Sequence, residues 1–101
     1  MTVVQFTRTA LNELQGAAEW YEQRNRALSE RFLAAATETA DRIAANPLAH
    51  QIVLDGQVRR ANFPRRWPWA LYYVIQPDKS IVIGALHARM HLRQLHGRSP
   101  W

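Results

Sequence analysis

Apolar side chains recur every three or four residues through the first half of the chain. Between residues 8 and 24 the recurring positions are Leu11, Leu14, Ala18 and Tyr21. Between residues 27 and 45 they are Leu28, Phe32, Ala36, Ala40 and Ile43. This spacing places each set on one face of an α-helix. Asn46-Pro47 ends the second helix, because proline disfavours a helical conformation in the residue before it. The pattern therefore predicts an antiparallel helical hairpin.

The second half of the chain is rich in β-branched and aromatic residues. Residues 69–76 (WALYYVIQ) and 80–87 (SIVIGALH) predict two strands joined by a turn at Pro77-Asp78-Lys79. Residues 2–6 (TVVQF) and 57–63 (QVRRANF) predict two more strands, whereas residues 48–55 fit either a strand or an ordered loop. Residues 89–97 predict a short C-terminal helix that stops at Gly97.

This order of elements predicts a single α+β domain over residues 1–101. We expect an N-terminal strand and an antiparallel helical hairpin packed on an antiparallel β-sheet. Thr7 is placed to cap the first helix. Trp20 and Tyr21 are expected to pack between elements, and Glu13 lies off the apolar stripe and is expected to stay in solvent.

Positive charge is concentrated in the second half of the chain. Residues 1–50 carry five arginines and six acids, whereas residues 51–101 carry seven arginines and one lysine against Asp55 and Asp78. Such polarity predicts an anionic partner, either a nucleic acid or an acidic protein surface. Arginine outnumbers lysine by twelve to one, which favours recognition of phosphate or carboxylate.

Composition excludes several functional classes. The chain has no cysteine, so neither disulfides nor thiolate chemistry are expected. No signal peptide is visible and no apolar run approaches the ~18–20 residues of a membrane span, so we expect a cytoplasmic protein. His87, His91 and His96 are too few for a zinc site without further ligands. We expect neither a metal nor a cofactor.

Four features, in order, resemble toxins of the RelE/ParE superfamily, the toxic half of type II toxin–antitoxin pairs. They are the helix segments ALNELQGAAEWYEQRN and LSERFLAAATETADRI, the stop at NP, the run VRR followed by WPWALYYVI, and the segment IVIGALHARMH. The resemblance covers almost the whole chain. It implies the fold predicted above, and a cognate antitoxin whose C-terminal segment wraps the toxin in a hetero-oligomer.

The resemblance leaves two cellular targets open. ParE-like toxins inhibit DNA gyrase, whereas RelE-like toxins cleave mRNA in the ribosome. RelE-like enzymes carry an arginine where this chain has Ala70, and a tyrosine where it has Leu95 or His96. Residues 56–77 also contain no acid that could act as a base. These departures favour a ParE-like gyrase inhibitor. The alternative is a RelE-like, ribosome-dependent endoribonuclease with His87 and Arg89 as catalytic residues.

The candidate contacts with antitoxin or target flank the two predicted strands of the hairpin. They are Arg59, Arg60, Arg65, Arg66, Trp67, Arg89, His91 and Arg93. Arg59 and Arg60 are adjacent on a strand, so they point to opposite faces. We expect one to contact a partner, while the other could pair with an acid on the helices. Trp67 fits either a contact patch or the core, and Arg98 is expected in an exposed basic tail.

Overall fold

The computed structural model describes residues 2–98 as a helical hairpin packed on a five-stranded sheet. The main elements are β1 (Val3–Phe6), α1 (Arg8–Glu22), α2 (Arg26–Ala45), β2 (Gln51–Leu54), β3 (Val58–Asn62), β4 (Trp69–Ile75) and β5 (Lys79–His87). Two short 3₁₀ helices lie at Pro47–Ala49 and Leu92–Leu95. The α+β prediction is confirmed. Residues 48–55, for which the sequence fitted either a strand or an ordered loop, contain strand β2. In the described part of the chain, no helix is both long and apolar enough to cross a membrane.

Both long helices begin at a side-chain cap. Thr7 Oγ1 accepts a hydrogen bond from the Ala10 amide at 3.1 Å, as predicted, and Asn25 Oδ1 accepts one from the Leu28 amide at 3.2 Å. The buried face of α1 consists of Ala10, Leu14, Ala17 and Ala18. The expectation that Leu11 joins this face is wrong, because Leu11 lies one residue out of phase and is 51% exposed.

The sheet is mixed, with the strand order β1-β5-β4-β3-β2. Strands β2 to β5 pair antiparallel in succession. Strand β1 runs parallel to β5, with Val3 opposite Lys79 and Phe6 opposite Val82. An entirely antiparallel sheet was expected, and β1 departs from it. The helical hairpin between β1 and the rest of the sheet supplies the long connection that a parallel arrangement needs.

The two faces of the sheet are covered differently. The helices pack on the face that carries Leu71, Tyr73 and Val82, where Phe32 and Ile43 are completely buried. The opposite face carries a second apolar cluster, whose members are Val58, Ala70, Tyr72, Val74, Ile81, Ile83, Leu86 and Leu95. Here the 3₁₀ helix Leu92–Leu95 provides the cover, and Leu95 is 3% exposed. The predicted C-terminal helix is therefore one short turn that seals part of the open face.

Antiparallel pairing separates acidic and basic groups along the sheet. The β2–β3 and β4–β5 turns, which carry Asp55 and Asp78, lie at the same end because Arg59 pairs with Tyr73 and Ile75 pairs with Ser80. The β3–β4 loop and the segment after His87 lie at the other end, where Asn62 pairs with Ala70 and Trp69 with His87. The arginine-rich segments therefore meet at one end of the sheet.

Candidate functional site

A groove of about 560 Å³ separates α1 from the end of β5. Its lining residues are Asn12, Glu13, Gly16, Ala17, Trp20, Tyr21, Trp69, Ala85, His87, Arg89 and Met90. Gly16 and Ala17 have small side chains or none, so the surface of α1 does not fill the groove. Trp20 and Met90 are 52% and 43% exposed. The exposure of Trp20 differs from the expected packing role, and its ring instead lies under the guanidinium of Arg24. The groove thus offers a mostly apolar surface with polar groups at its rim.

A partly buried ion pair closes the edge of β5 beside this groove. Strand β1 covers β5 only as far as Val82. Beyond that point Glu13 Oε1 accepts a hydrogen bond from the Ala85 amide at 3.1 Å, and Arg98 Nη1 donates one to the Ile83 carbonyl at 2.9 Å. Glu13 and Arg98 also form two hydrogen bonds to each other, at 2.9 and 3.0 Å. Two side chains therefore replace the missing neighbouring strand.

The expectations for both partners of this pair are wrong. The side chains of Glu13 and Arg98 are only 22% and 16% exposed, although both were expected in solvent. Gly84 makes their approach possible, because a Cβ at that position would lie 2.6 Å from Leu95 Cδ2 and 2.8 Å from Arg98 Nη1. We call the Glu13–Arg98 ion pair with its two contacts to β5 the edge pair.

Two of the predicted binding arginines have intramolecular partners. Arg59 Nη1 donates hydrogen bonds to the carbonyls of His50 at 2.6 Å and Leu48 at 3.3 Å, so its partners are backbone groups and not an acid. Arg65 Nη2 lies 2.8 Å from Glu38 Oε2, and this contact holds the pKa of Glu38 below its usual value. Arg65 and its exposed neighbour Arg66 both have positive φ angles, 54° and 63°.

Trp67 belongs mainly to the packing between the loop and the helices. Its ring centroid lies 5.3 Å from that of Tyr21 and 5.6 Å from that of Phe32, both in edge-on geometry. Trp69 joins the same cluster and donates an indole hydrogen bond to the Tyr21 hydroxyl at 3.0 Å. These contacts favour the interpretation of Trp67 as a packing residue.

A second depression lies on the open face of the sheet, between the β3–β4 loop and the end of β5. We call it the basin; it has a volume of about 280 Å³. Its lining residues are Arg60, Asn62, Trp67, Pro68, Trp69, Ala70, Tyr72, Leu86, Ala88 and Met90. Arg60 is the charged residue of this set, and it makes no side-chain hydrogen bond or ion pair within residues 2–98. Asn62 was not singled out by sequence, since it does not stand out in its segment.

The residues proposed for RNA cleavage, His87 and Arg89, lie together at the end of β5. His87 Nδ1 accepts a hydrogen bond from the Arg89 amide at 3.0 Å, and its ring packs edge-on against Trp69. Glu13 lines the same groove as His87 and Arg89. It lies on α1, far from the hairpin in sequence, so the sequence did not indicate an acid here. Its two oxygens accept hydrogen bonds from the Ala85 amide and the Arg98 guanidinium, so the edge pair fixes the position of this carboxylate.

The remaining predicted residues lie in the tail. His91 and Arg93 are exposed, and His91 Nδ1 accepts a hydrogen bond from the Arg93 amide at 3.1 Å, which caps the 3₁₀ helix. Between Thr2 and Arg98 no three residues among histidine, cysteine, aspartate and glutamate are grouped so that they could hold a metal ion.

Residues 4–92 match the family model described as the ParE toxin of the type II toxin–antitoxin system parDE. A search of curated proteins found no significant match. Among solved structures, the chain is similar to one titled as the chromosomal ParDE toxin–antitoxin system from P. aeruginosa. The two chains share 18% sequence identity with a TM-score of 0.65, over 86% of this chain and 96% of that one. That likeness supports the fold, and the family model spans most of the sequence. The chain therefore belongs to the ParE toxin family of type II toxin–antitoxin systems.

Proposed function

We propose that this toxin inhibits DNA gyrase in the cytoplasm and is neutralised by a cognate antitoxin that binds the groove between α1 and β5. The choice of gyrase as the target is based mainly on the hydrogen bonds that Glu13 accepts. Glu13 is the carboxylate of the groove that contains His87 and Arg89, and both of its oxygens are already hydrogen-bonded. RNA cleavage needs a base that removes the proton of the 2′-hydroxyl. Inhibition of a protein target needs only a binding surface.

The groove fits an apolar segment with acidic residues at its edge. Gly16 and Ala17 form a low wall, while the exposed rings and side chains of Trp20 and Met90 supply the apolar area that a partner would bury. Arg89 lies at the rim, where it can pair with a carboxylate of the partner. A helix or extended segment laid in such a groove is a common mode of peptide recognition.

A supercoiling assay tests the choice of target. Purified gyrase converts relaxed plasmid into supercoiled plasmid, and we expect the purified toxin in molar excess to block this conversion. Unimpaired supercoiling over a wide range of toxin concentration contradicts gyrase inhibition. Primer extension on translated mRNA gives the alternative its own test, because codon-phased cuts would identify a ribosome-dependent nuclease.

A filled-groove variant tests the antitoxin site. A Cβ at Gly16 meets nothing within 4 Å, so Gly16→Trp places an indole in the groove without a clash at the backbone. Co-expression with the cognate antitoxin should restore growth for the wild type but not for Gly16→Trp. Gln15→Trp is the matched control, because Gln15 is also exposed on α1 but does not line the groove. Equal rescue of both variants contradicts the site.

A further inference from the structure

We propose that the basin is the surface by which the toxin holds its protein target, and that Arg60 binds an acidic side chain of that target. This inference rests on the proposed function and adds the location of the target-binding site. The target site and the antitoxin groove are neighbours that share Trp69 and Met90. The groove faces α1, whereas the basin lies on the face of the sheet that the helices do not cover.

The basin results from small residues at positions where the rest of the face carries large ones. Ala70 lies between Asn62 on β3 and Leu86 on β5, and Ala88 follows directly after β5. The same face farther along β4 and β5 carries Val74, Ile81 and Ile83, which the tail residue Leu95 covers. The 3₁₀ helix Leu92–Leu95 does not cover the basin, because neither Leu92 nor Leu95 is among the residues that line it. A space for one or two side chains therefore stays open.

Arg60 lies at the edge of this space, and its side chain has no hydrogen bond or ion pair to any of residues 2–98. It pairs across the strands with Tyr72, so its side chain leaves the sheet on the same face as the buried tyrosine ring. Asn62, two residues further along β3, places a side-chain amide on the same face. Among the described residues that line the basin none carries a carboxylate, and Asp55 and Asp78, the acidic side chains of this half of the chain, lie in the turns at the opposite end of the sheet.

These groups match an acidic side chain flanked by apolar residues. A guanidinium and a carboxylate form paired hydrogen bonds, and a neighbouring amide can donate one more. Tyr72, Leu86 and Met90 then offer apolar contact to the residues on either side of the acid. A nucleic acid would need several phosphate contacts along a basic track; among the described residues that line the basin itself, Arg60 is the only cation, and the other arginines of this end of the sheet lie outside it. The chemistry therefore favours a protein segment.

The experiment compares matched arginine variants in the gyrase supercoiling assay. Arg60→Ala removes the cation, and Ala88→Leu fills the basin while keeping Arg60. Arg26→Ala is the control, because that side chain is 81% exposed on α2 with only a 3.8 Å contact to Glu30. We expect Arg60→Ala and Ala88→Leu each to raise the half-inhibitory toxin concentration at least about tenfold, as for a binding hot spot. Arg26→Ala should stay within about twofold of the wild type. Melting temperatures confirm that each variant is folded.

The outcomes separate the inference from the proposed function. If the wild type blocks supercoiling and Arg60→Ala and Ala88→Leu block it equally well, the basin is not the target site, although gyrase inhibition stands. If the wild type leaves supercoiling intact, the proposed function fails and the inference fails with it. If Arg60→Ala abolishes codon-phased mRNA cuts and leaves supercoiling unchanged, the basin holds RNA and the proposed protein partner is wrong.

Discussion

The two adjacent arginines of β3 face opposite sides of the sheet and meet different surroundings. Arg59 points to the helix-covered side and donates hydrogen bonds to two backbone carbonyls near the 3₁₀ helix Pro47–Ala49. Arg60 points to the open side and makes no such contact within residues 2–98. Arg98 resembles Arg59, since the fold uses its guanidinium to complete the edge of β5. A high arginine content therefore combines structural and available cations, and only the three-dimensional contacts distinguish them.

Removal of the edge pair should give the largest loss of stability. Glu13→Ala leaves Arg98 without its carboxylate and the Ala85 amide without its acceptor in a region that is largely buried. We expect a decrease of about 3 kcal/mol in the free energy of unfolding, measured by urea denaturation. Glu19→Ala, at an exposed position of the same helix, is the control. A loss below about 1 kcal/mol would show that the edge pair contributes little to the fold.

The contrast within β3 can be measured directly with two alanine variants. Arg59→Ala removes charge-assisted hydrogen bonds to the carbonyls of His50 and Leu48, and should cost about 1.5 kcal/mol of unfolding free energy. Arg60→Ala removes no intramolecular contact of this kind and should cost less than about 0.5 kcal/mol. Equal destabilisation by the two changes would contradict the assignment of Arg59 to structure and Arg60 to binding.

The smallest effect concerns His50, whose carbonyl accepts the hydrogen bond from Arg59. Burial lowers the pKa of His50 below its ordinary value of 6.5. Below pH 6.5 the unfolded chain therefore binds more protons at this residue than the folded chain, and stability falls as the pH decreases. His50→Gln should flatten the dependence of unfolding free energy on pH between 7.5 and 5.5. An unchanged slope would assign the acid sensitivity to other groups.

The elements of this fold follow closely from sequence periodicity, whereas the long-range pairings do not. The residues Phe32, Ala36 and Ile43 repeat at helical spacing and are buried as predicted. Nothing in TVVQF indicates that its neighbour is β5 or that the two strands run parallel. Hydropathy likewise marks Glu13 as a solvent residue, because the pattern of one helix carries no information about Arg98, 85 residues further along.

The candidate site was predictable in its region but not in its parts. The arginine-rich segments that flank the β4–β5 hairpin in sequence lie at one end of the sheet. Sequence could not show that Arg59 and Arg65 have partners while Arg60 has none among residues 2–98, because those partners are backbone carbonyls and a glutamate on α2. The basin itself depends on small side chains such as Ala70 and Ala88, whose significance appears only beside the larger residues around them.

The parallel pairing of β1 with β5 also sets the order in which the molecule can be completed during synthesis. Residues 3–6 leave the ribosome early, yet they pair with residues 79–82. Strand β1 therefore cannot join the sheet until most of the chain has been synthesised. The ion pair between Glu13 and Arg98 forms later still, because Arg98 is synthesised after β5. Contacts between such distant residues slow folding, because a long loop must close before they form. The growing polypeptide therefore cannot complete the edge of β5 until residues 79–98 have left the ribosome.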